Sequence, residues 1–130
     1  MTRRLMLALP LAALCRAADP AQESIDVLKE LAASLSAGNV GRFLAVFDPK
    51  IKGYGELRNN VTALIAEGDV QCFLDPQENE GDARARTLQV EWTLRSAAGS
   101  REKSVKCGME KQGGKWRITA FEPLAIFAPF

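Results

Sequence analysis

The sequence predicts an α+β domain, three helices followed by a curled sheet of about four antiparallel strands. Three observations carry this. Apolar residues recur at helical spacing as far as Ile65, whereas from Asp69 the period drops to two and Val, Thr, Trp and Arg dominate. The links between the later segments have hairpin length and turn composition. With 130 residues, the chain suits one domain with a core of its own.

Residues 1–17 stand apart from that domain. Arg3 and Arg4 precede an apolar run over 5–14, and Cys15-Arg16-Ala17 follows with small residues where a signal peptidase reads, so a signal peptide cleaved near Ala17 or Ala18 is expected. A run of ten residues broken by Pro10 is too short for the ~20 that a membrane span needs. A lipid-bearing Cys15 is disfavoured by the bulky Leu14 before it. Loss of Arg3, Arg4 and Arg16 leaves 14 basic against 16 acidic residues. That balance offers nothing to nucleic acid, and the expected location is periplasmic or extracellular.

The domain, 18–130, then opens with Asp19-Pro20-Ala21-Gln22, which reads as an N-cap, a proline at the first helical position and a capping-box partner. The first helix turns Ile25, Leu28, Ala32 and Leu35 inward and stops at Gly38. Asn39 caps a shorter second helix with Val40, Phe43, Leu44 and Phe47, ended by Asp48-Pro49. After "KGYGEL", a third helix places Leu57, Val61, Leu64 and Ile65 on one stripe and closes at Gly68.

Strands are expected at 70–74, 83–95, 101–110 and 115–122, joined by "DPQENEGD", "SAAGS" and "KQGG" in an antiparallel meander. Their inward faces read Val70, Cys72, Leu74; Leu88, Val90, Trp92, Leu94; Val105, Cys107, Met109; and Trp116, Ile118, Ala120. The outward faces are polar, with Thr87, Gln89, Glu91, Thr93, Lys106, Arg117 and Thr119. Phe121 falls on the outward phase. Cys72 and Cys107 lie on strands one and three, roughly 9 to 10 Å apart across strand two, beyond the ~7 Å reach of a disulfide. Two buried thiols are therefore favoured, with a bridge as the alternative should the sheet curl strongly. Pro123 ends the last strand, and Leu124, Ile126 and Phe127 are expected to fold back over the helices or a pocket mouth.

The stretches "LAASLSAGNVGRFLAVFDP" and "EWTL … KCGMEKQGGKWRITAFEP", together with the order of elements, resemble the nuclear-transport-factor-2-like superfamily, which has a cystatin-like fold and includes ketosteroid-isomerase-like and polyketide-cyclase-like members. More narrowly, the chain resembles uncharacterised exported bacterial proteins of that type. The resemblance implies a cone-shaped, curled sheet wrapped on the N-terminal helices and a pocket between them. It also implies use of that pocket by isomerases, dehydratases, hydrolases and cyclases or by no chemistry at all, and dimerisation through the outer sheet face. Such a fold does not dictate a function.

Family enzymes would place an Asp or His base and an oxyanion-holding group inside the cone. Here no histidine occurs anywhere, and no carboxylate falls on an inward strand position or on the first helix's stripe. Zinc, nucleotide and nucleophile-elbow motifs are absent from the sequence. No catalytic residue, metal ligand or cofactor is assigned, and Cys72 and Cys107 read as small apolar core residues.

Candidates for a ligand pocket are Asp48 and Tyr54 beside the loop between helices two and three, Arg86 (with Arg84) at the rim, Trp92 and Trp116 as an aromatic wall, and Phe127 in the tail. Each has a plainer reading: Asp48 as a turn cap, Tyr54 as cover on a core edge, Arg86 as a solvated arginine, and the tryptophans as core. Phe121 and Arg117 are the dimer-face candidates. The function expected is a non-enzymatic domain that binds a small hydrophobic molecule or a protein partner. The alternatives are an isomerase, cyclase or lyase acting on a lipid-like carbonyl compound, and a dimerisation module whose cone is filled. A cavity above ~300 Å³ would favour binding or catalysis, and an interior filled by Trp92, Trp116 and Phe43 would favour the module.

Overall fold

The computed structural model describes residues 19–130. The expected signal peptide and Cys15 lie outside the described residues. Helix α1 (Pro20–Ser36) starts as its caps dictate, with Asp19 accepting from the Ala21 N–H at 3.1 Å. Its buried face is Ser24, Leu28, Leu31, Ser34 and Leu35, so the expected stripe is rotated and Ile25 and Ala32 sit at its margin. Two serines survive there because each hydroxyl donates to the carbonyl three residues back, Ser24 to Ala21 and Ser34 to Leu31, both at 2.7 Å.

Asn39 caps α2 (Val40–Leu44) by accepting from the Arg42 N–H at 2.9 Å, and α2 buries Phe43. The chain then pairs briefly with the last strand through a parallel bridge between Phe47 and Ile118. Helix α3 (Tyr54–Ala66) buries Leu57, Val61 and Leu64.

Four strands follow, β1 (Gln71–Gly81), β2 (Ala85–Ser96), β3 (Gly99–Gln112) and β4 (Lys115–Glu122), in the antiparallel order β1-β2-β3-β4. The meander is the expected one, but the sheet is open and neither closed nor strongly curled. Strands β1 and β4 are its two separate edges. The expected cone-shaped, curled wrapping is thereby corrected. Ladders are interrupted at only two register shifts, Pro76/Glu78 and Gly108/Met109, and bulges are the devices that bend a sheet.

Both shifts also overturn local expectations. At the first, Gln77 drops out of the pairing and β1 continues past Pro76, so most of "DPQENEGD" is strand and the turn lies beyond Gly81. Pro76 is tolerated because β1 is an edge. At the second, Gly108 pairs with Ala120 and Met109 with Ile118, which leaves Thr119 as the extra residue. The phase of β4 reverses there: Ala120 faces out, and Phe121 turns inward and is 4% exposed.

The interior is an aromatic cluster. Phe43, Phe47, Trp92, Phe121 and Phe127 contact one another with ring centroids between 5.0 and 6.0 Å apart. Phe127 arrives on a 3-10 turn (Leu124–Phe127) that folds back against α3. Cys72 and Cys107 are both free thiols. They lie opposite Leu94 and Leu88 of β2, six residues apart along that strand and so about 20 Å. That separation rules out the bridge.

Candidate functional site

Of the six pocket candidates, the structure brings together only Trp92 and Phe127, and it does so by packing them against each other, edge to face, at 5.6 Å. Both are fully buried. The space between sheet and helices, where the resemblance implies a pocket, is held by their cluster. Trp92 also carries a buried indole N–H without a well-formed partner. Burial dominates at the Cys72 thiol and pushes it up to about 12. Burial likewise raises Cys107. Thiols held protonated in this way are poor nucleophiles.

Asp48 is a joint. One carboxylate oxygen accepts from the Lys50 N–H and the other from the Gln112 side chain, both at 2.9 Å, while its own N–H donates to Ile118 O at 2.9 Å. The Gln112 bond, followed by the Lys50 N–H, holds its carboxyl below the usual aspartate range. Tyr54 opens α3 half-buried against the core edge.

Arg86 is not at a rim. It is 9% exposed, and Nε donates to Asn79 Oδ1 at 2.7 Å while the two terminal nitrogens donate to Asp82 O and Asn79 O at 3.2 Å. Asn79 in turn donates to Ala21 O at 3.0 Å and Ser24 Oγ at 3.1 Å. The β1–β2 hairpin is thus pinned to the first turn of α1. Arg84 stays exposed on the hairpin. The sequence reading missed Asn79, because it lay in a presumed loop.

Trp116 stands apart, in an open groove of about 410 Å³ between α1, α2 and the start of β4, with Val27 and Val46 beside it. Its N–H donates to Glu23 Oε1 at 2.9 Å, and Lys111 Nζ reaches the same oxygen at 3.3 Å. The indole bond is the largest cause holding the Glu23 carboxyl below its ordinary range. At the far end of the groove Glu30 pairs with Arg42.

The two dimer-face candidates part company: Arg117 keeps the outward phase between buried Trp116 and Ile118, whereas Phe121 does not. Phe121 is in the core, turned there by the bulge, and Arg117 donates to Ala45 O at 2.9 Å, reaching toward the chain just after α2. The outer sheet face carries a shallow concavity of about 580 Å³ bordered by Gln89, Ser104, Lys106, Glu122 and Pro123. It adjoins two smaller hollows that share Lys106, one with Ala120 and Glu122, the other with Glu78 and Glu80. Alternation places Lys106 outward, but the hollow around it depends on the small side chains at Gly108 and Ala120. A Cβ at Gly108 would come within 3.3 Å of the Ala120 Cβ.

Among the described residues no group of three His, Cys, Asp or Glu is placed to hold a metal ion, and no helix is long and apolar enough to cross a membrane. The carboxylates with shifted acidity, Glu23, Glu30, Asp48 and Asp82, are all shifted downward. These are ionised, hydrogen-bonded acceptors, the opposite of an acid kept protonated for proton donation.

Neither a protein-family model nor a curated protein sequence matches the chain. Solved structures do. The chain is similar to a Nostoc punctiforme protein of unknown function with a cystatin-like fold, at 19% identity over 77% of this chain and 86% of that one, with a TM-score of 0.62. An NTF-2-like protein of unknown function from Shewanella oneidensis is similar at 13% identity over 78% and 96%, with a TM-score of 0.66. A third, an NTF2-like protein with a cystatin-like fold from Novosphingobium aromaticivorans, has 14% identity over 85% and 84%, with a TM-score of 0.63. The chain therefore has the NTF2-like, cystatin-like fold. At these identities the likeness shows the fold alone.

Proposed function

We propose that the chain is a non-enzymatic interaction module that works through its surface and pairs with a second copy across the outer sheet face. The observation that carries this is the filled interior: Phe43, Phe47, Phe121 and Phe127 pack around Trp92 where an internal ligand would sit. An isomerase, cyclase or lyase would need Asp48 or Tyr54 at the chemistry, and both oxygens of Asp48 already accept hydrogen bonds. The outer face offers a two-fold partner both signs of charge in adjoining hollows, Lys106 with Glu78 and Glu80 in one and with Glu122 in the other, so an axis displaced from Lys106 would set each copy's lysine against the other's carboxylates.

Sedimentation of the chain from residue 18 onward tests this. A concentration-dependent dimer is expected, lost in Lys106→Glu and regained in the swap Lys106→Glu with Glu122→Lys. A monomer at millimolar concentration, or a dimer indifferent to Lys106→Glu, overturns the reading.

The small-hydrophobic-molecule reading keeps one place outside the core, the groove beside Trp116 with Val27 and Val46. We also propose export, on the strength of Arg3-Arg4 and the apolar run after them. Amino-terminal sequencing of the protein from periplasm or medium should begin at residue 18 or 19. A lipidated start at Cys15, or an intact Met1 in the cytoplasm, refutes that cleavage.

A further inference from the structure

We infer that the free edge of β3 between Gly99 and Val105 is a docking site for an extended segment of another protein, one that carries an acidic and a basic residue side by side. β4 pairs with β3 only as far as Lys106↔Glu122, so over 99–105 the strand has β2 on one side and no strand on the other. Two hairpins fix which backbone groups this leaves. Ser96↔Gly99 closes the turn at 97–98 and Gln112↔Lys115 the turn at 113–114, and the closing residues of such short turns bond to each other. Bonding alternates along β3 from both ends with the same parity: Arg101 and Lys103 bond across to β2, whereas the N–H and C=O of Ser100, Glu102 and Ser104 point to the open side.

The sheet's other edges are blunted. β1 is interrupted by Pro76 and the register shift beside it, and the chain after α2 bonds along the middle of β4, Ile118 N–H donating to Val46 O and Asp48 N–H to Ile118 O, both at 2.9 Å. The C-terminal residues pass under the β3 edge without pairing to it. Arg101, which lies opposite buried Leu94, donates to Ile126 O at 2.6 Å and Ala128 O at 2.7 Å, and a Cβ at Gly99 would come within 3.0 Å of the Phe130 ring. That cover stops short of Lys103, which is exposed although it lies opposite fully buried Trp92. Ser100, Glu102 and Ser104 are exposed as well.

Charge decides the occupant. β4 blocks a second copy's β3 from Lys106 onward, so two copies can pair antiparallel, edge to edge, only in registers centred on Glu102 or nearer Gly99. Centred on Glu102, such a pairing sets Glu102 against Glu102 and Arg101 against Lys103; centred on Arg101, it sets Arg101 against itself. Like charges directly opposite destabilise paired strands, so the edge is closed to its own copy. A foreign strand meets no such conflict. Running antiparallel, with a basic residue opposite Glu102 on the outer face and an acidic neighbour opposite Lys103 on the inner, it satisfies both charges and takes up the free backbone groups. The site lies on the rim of the sheet and is separate from pairing across the face around Lys106.

The probe is the blocked peptide acetyl-Thr-Glu-Lys-Val-Thr-amide, titrated to millimolar concentration into the isotope-labelled chain from residue 18 onward and followed by NMR. Amide shifts and slowed exchange are expected at Ser100, Glu102 and Ser104, while exchange at Arg101 and Lys103, already bonded to β2, stays as it was. Lys103→Glu alters an exposed side chain and should weaken binding about fivefold, and a peptide with Lys-Lys in place of Glu-Lys should recover it. N-methylation of the peptide lysine, whose N–H faces the Glu102 carbonyl, should abolish binding. The inference is overturned if millimolar peptide leaves those three amides unperturbed, or if the N-methylated peptide binds as well as the plain one. Concentration-dependent protection of the same amides without peptide would give the edge to a second copy and overturn it equally.

Discussion

Arg86 brings a guanidinium into the protein with no carboxylate in direct contact, although the Asp82 carboxyl feels its charge. Its charge is spread over the amide oxygen of Asn79 and two backbone carbonyls, and Asn79 uses its own N–H₂ to hold Ala21 and Ser24. A buried cation is tolerated only while its donors are satisfied. Asn79→Ala removes the shortest of those bonds together with both contacts to α1, and we expect it to cost about 2–3 kcal/mol in urea unfolding. Arg86→Met leaves three acceptors without their donor but no buried charge, and should cost less because an unpaired neutral acceptor is cheaper than an under-satisfied buried cation. Should Asn79→Ala prove milder than Arg86→Met, the network has been misjudged.

At the scale of elements, what could be read from sequence and what could not divide along a physical line. Caps and periods are local, so Asp19, Asn39, the three helices and the order of the strands were legible without any tertiary information. The face of α1 was not. Ser24 and Ser34 look polar in a sequence, and only the back-bonds to Ala21 and Leu31 make them fit for burial. The end of β4 was misread for a different reason. A bulge is a mismatch between two strands, and neither "CGME" nor "ITAF" announces that Gly108 and Ala120 will pair and squeeze Thr119 out. One inserted residue exchanges the faces of everything after it, which is why Phe121, assigned to a dimer face, lies in the aromatic core.

The same limit applies to the candidate site. Trp92 and Phe127 could be named from phase and composition, but not their contact across 35 residues of chain. Asn79 escaped notice because Pro76 made the stretch look like a loop; the edge position of β1 accommodates that proline instead. Curvature was the remaining overreach. It came from resemblance, whereas an open sheet with two interior bulges follows from pairings that a single sequence does not display.

For the whole molecule, the ionisable groups tie distant elements together, and stability should therefore form a plateau with two different limbs. On the acid side Glu23 links α1 to Trp116 of β4, and Asp48 links its loop to Gln112 of β3. Both carboxyls sit below their ordinary values when folded, so the folded state binds fewer protons than the unfolded one. Their contribution is complete above the unfolded values near pH 4 and is lost as pH falls through the depressed ones. Trp116→Phe removes the first cause of the Glu23 shift and should flatten that limb without moving the alkaline one.

On the alkaline side the sign reverses. Burial raises Cys72 to about 12 and raises Cys107 as well, so above the ordinary thiol range near 8.5 the unfolded chain ionises first and gains on the folded one. Stability from these thiols is complete below that range and declines as pH climbs toward the folded value of about 12 for Cys72. Urea midpoints measured from pH 2 to 11 should show both limbs, and Cys72→Ala should shallow only the alkaline one. An alkaline limb untouched by Cys72→Ala would mean that this thiol is not held in the apolar setting that β1 and Trp92 provide.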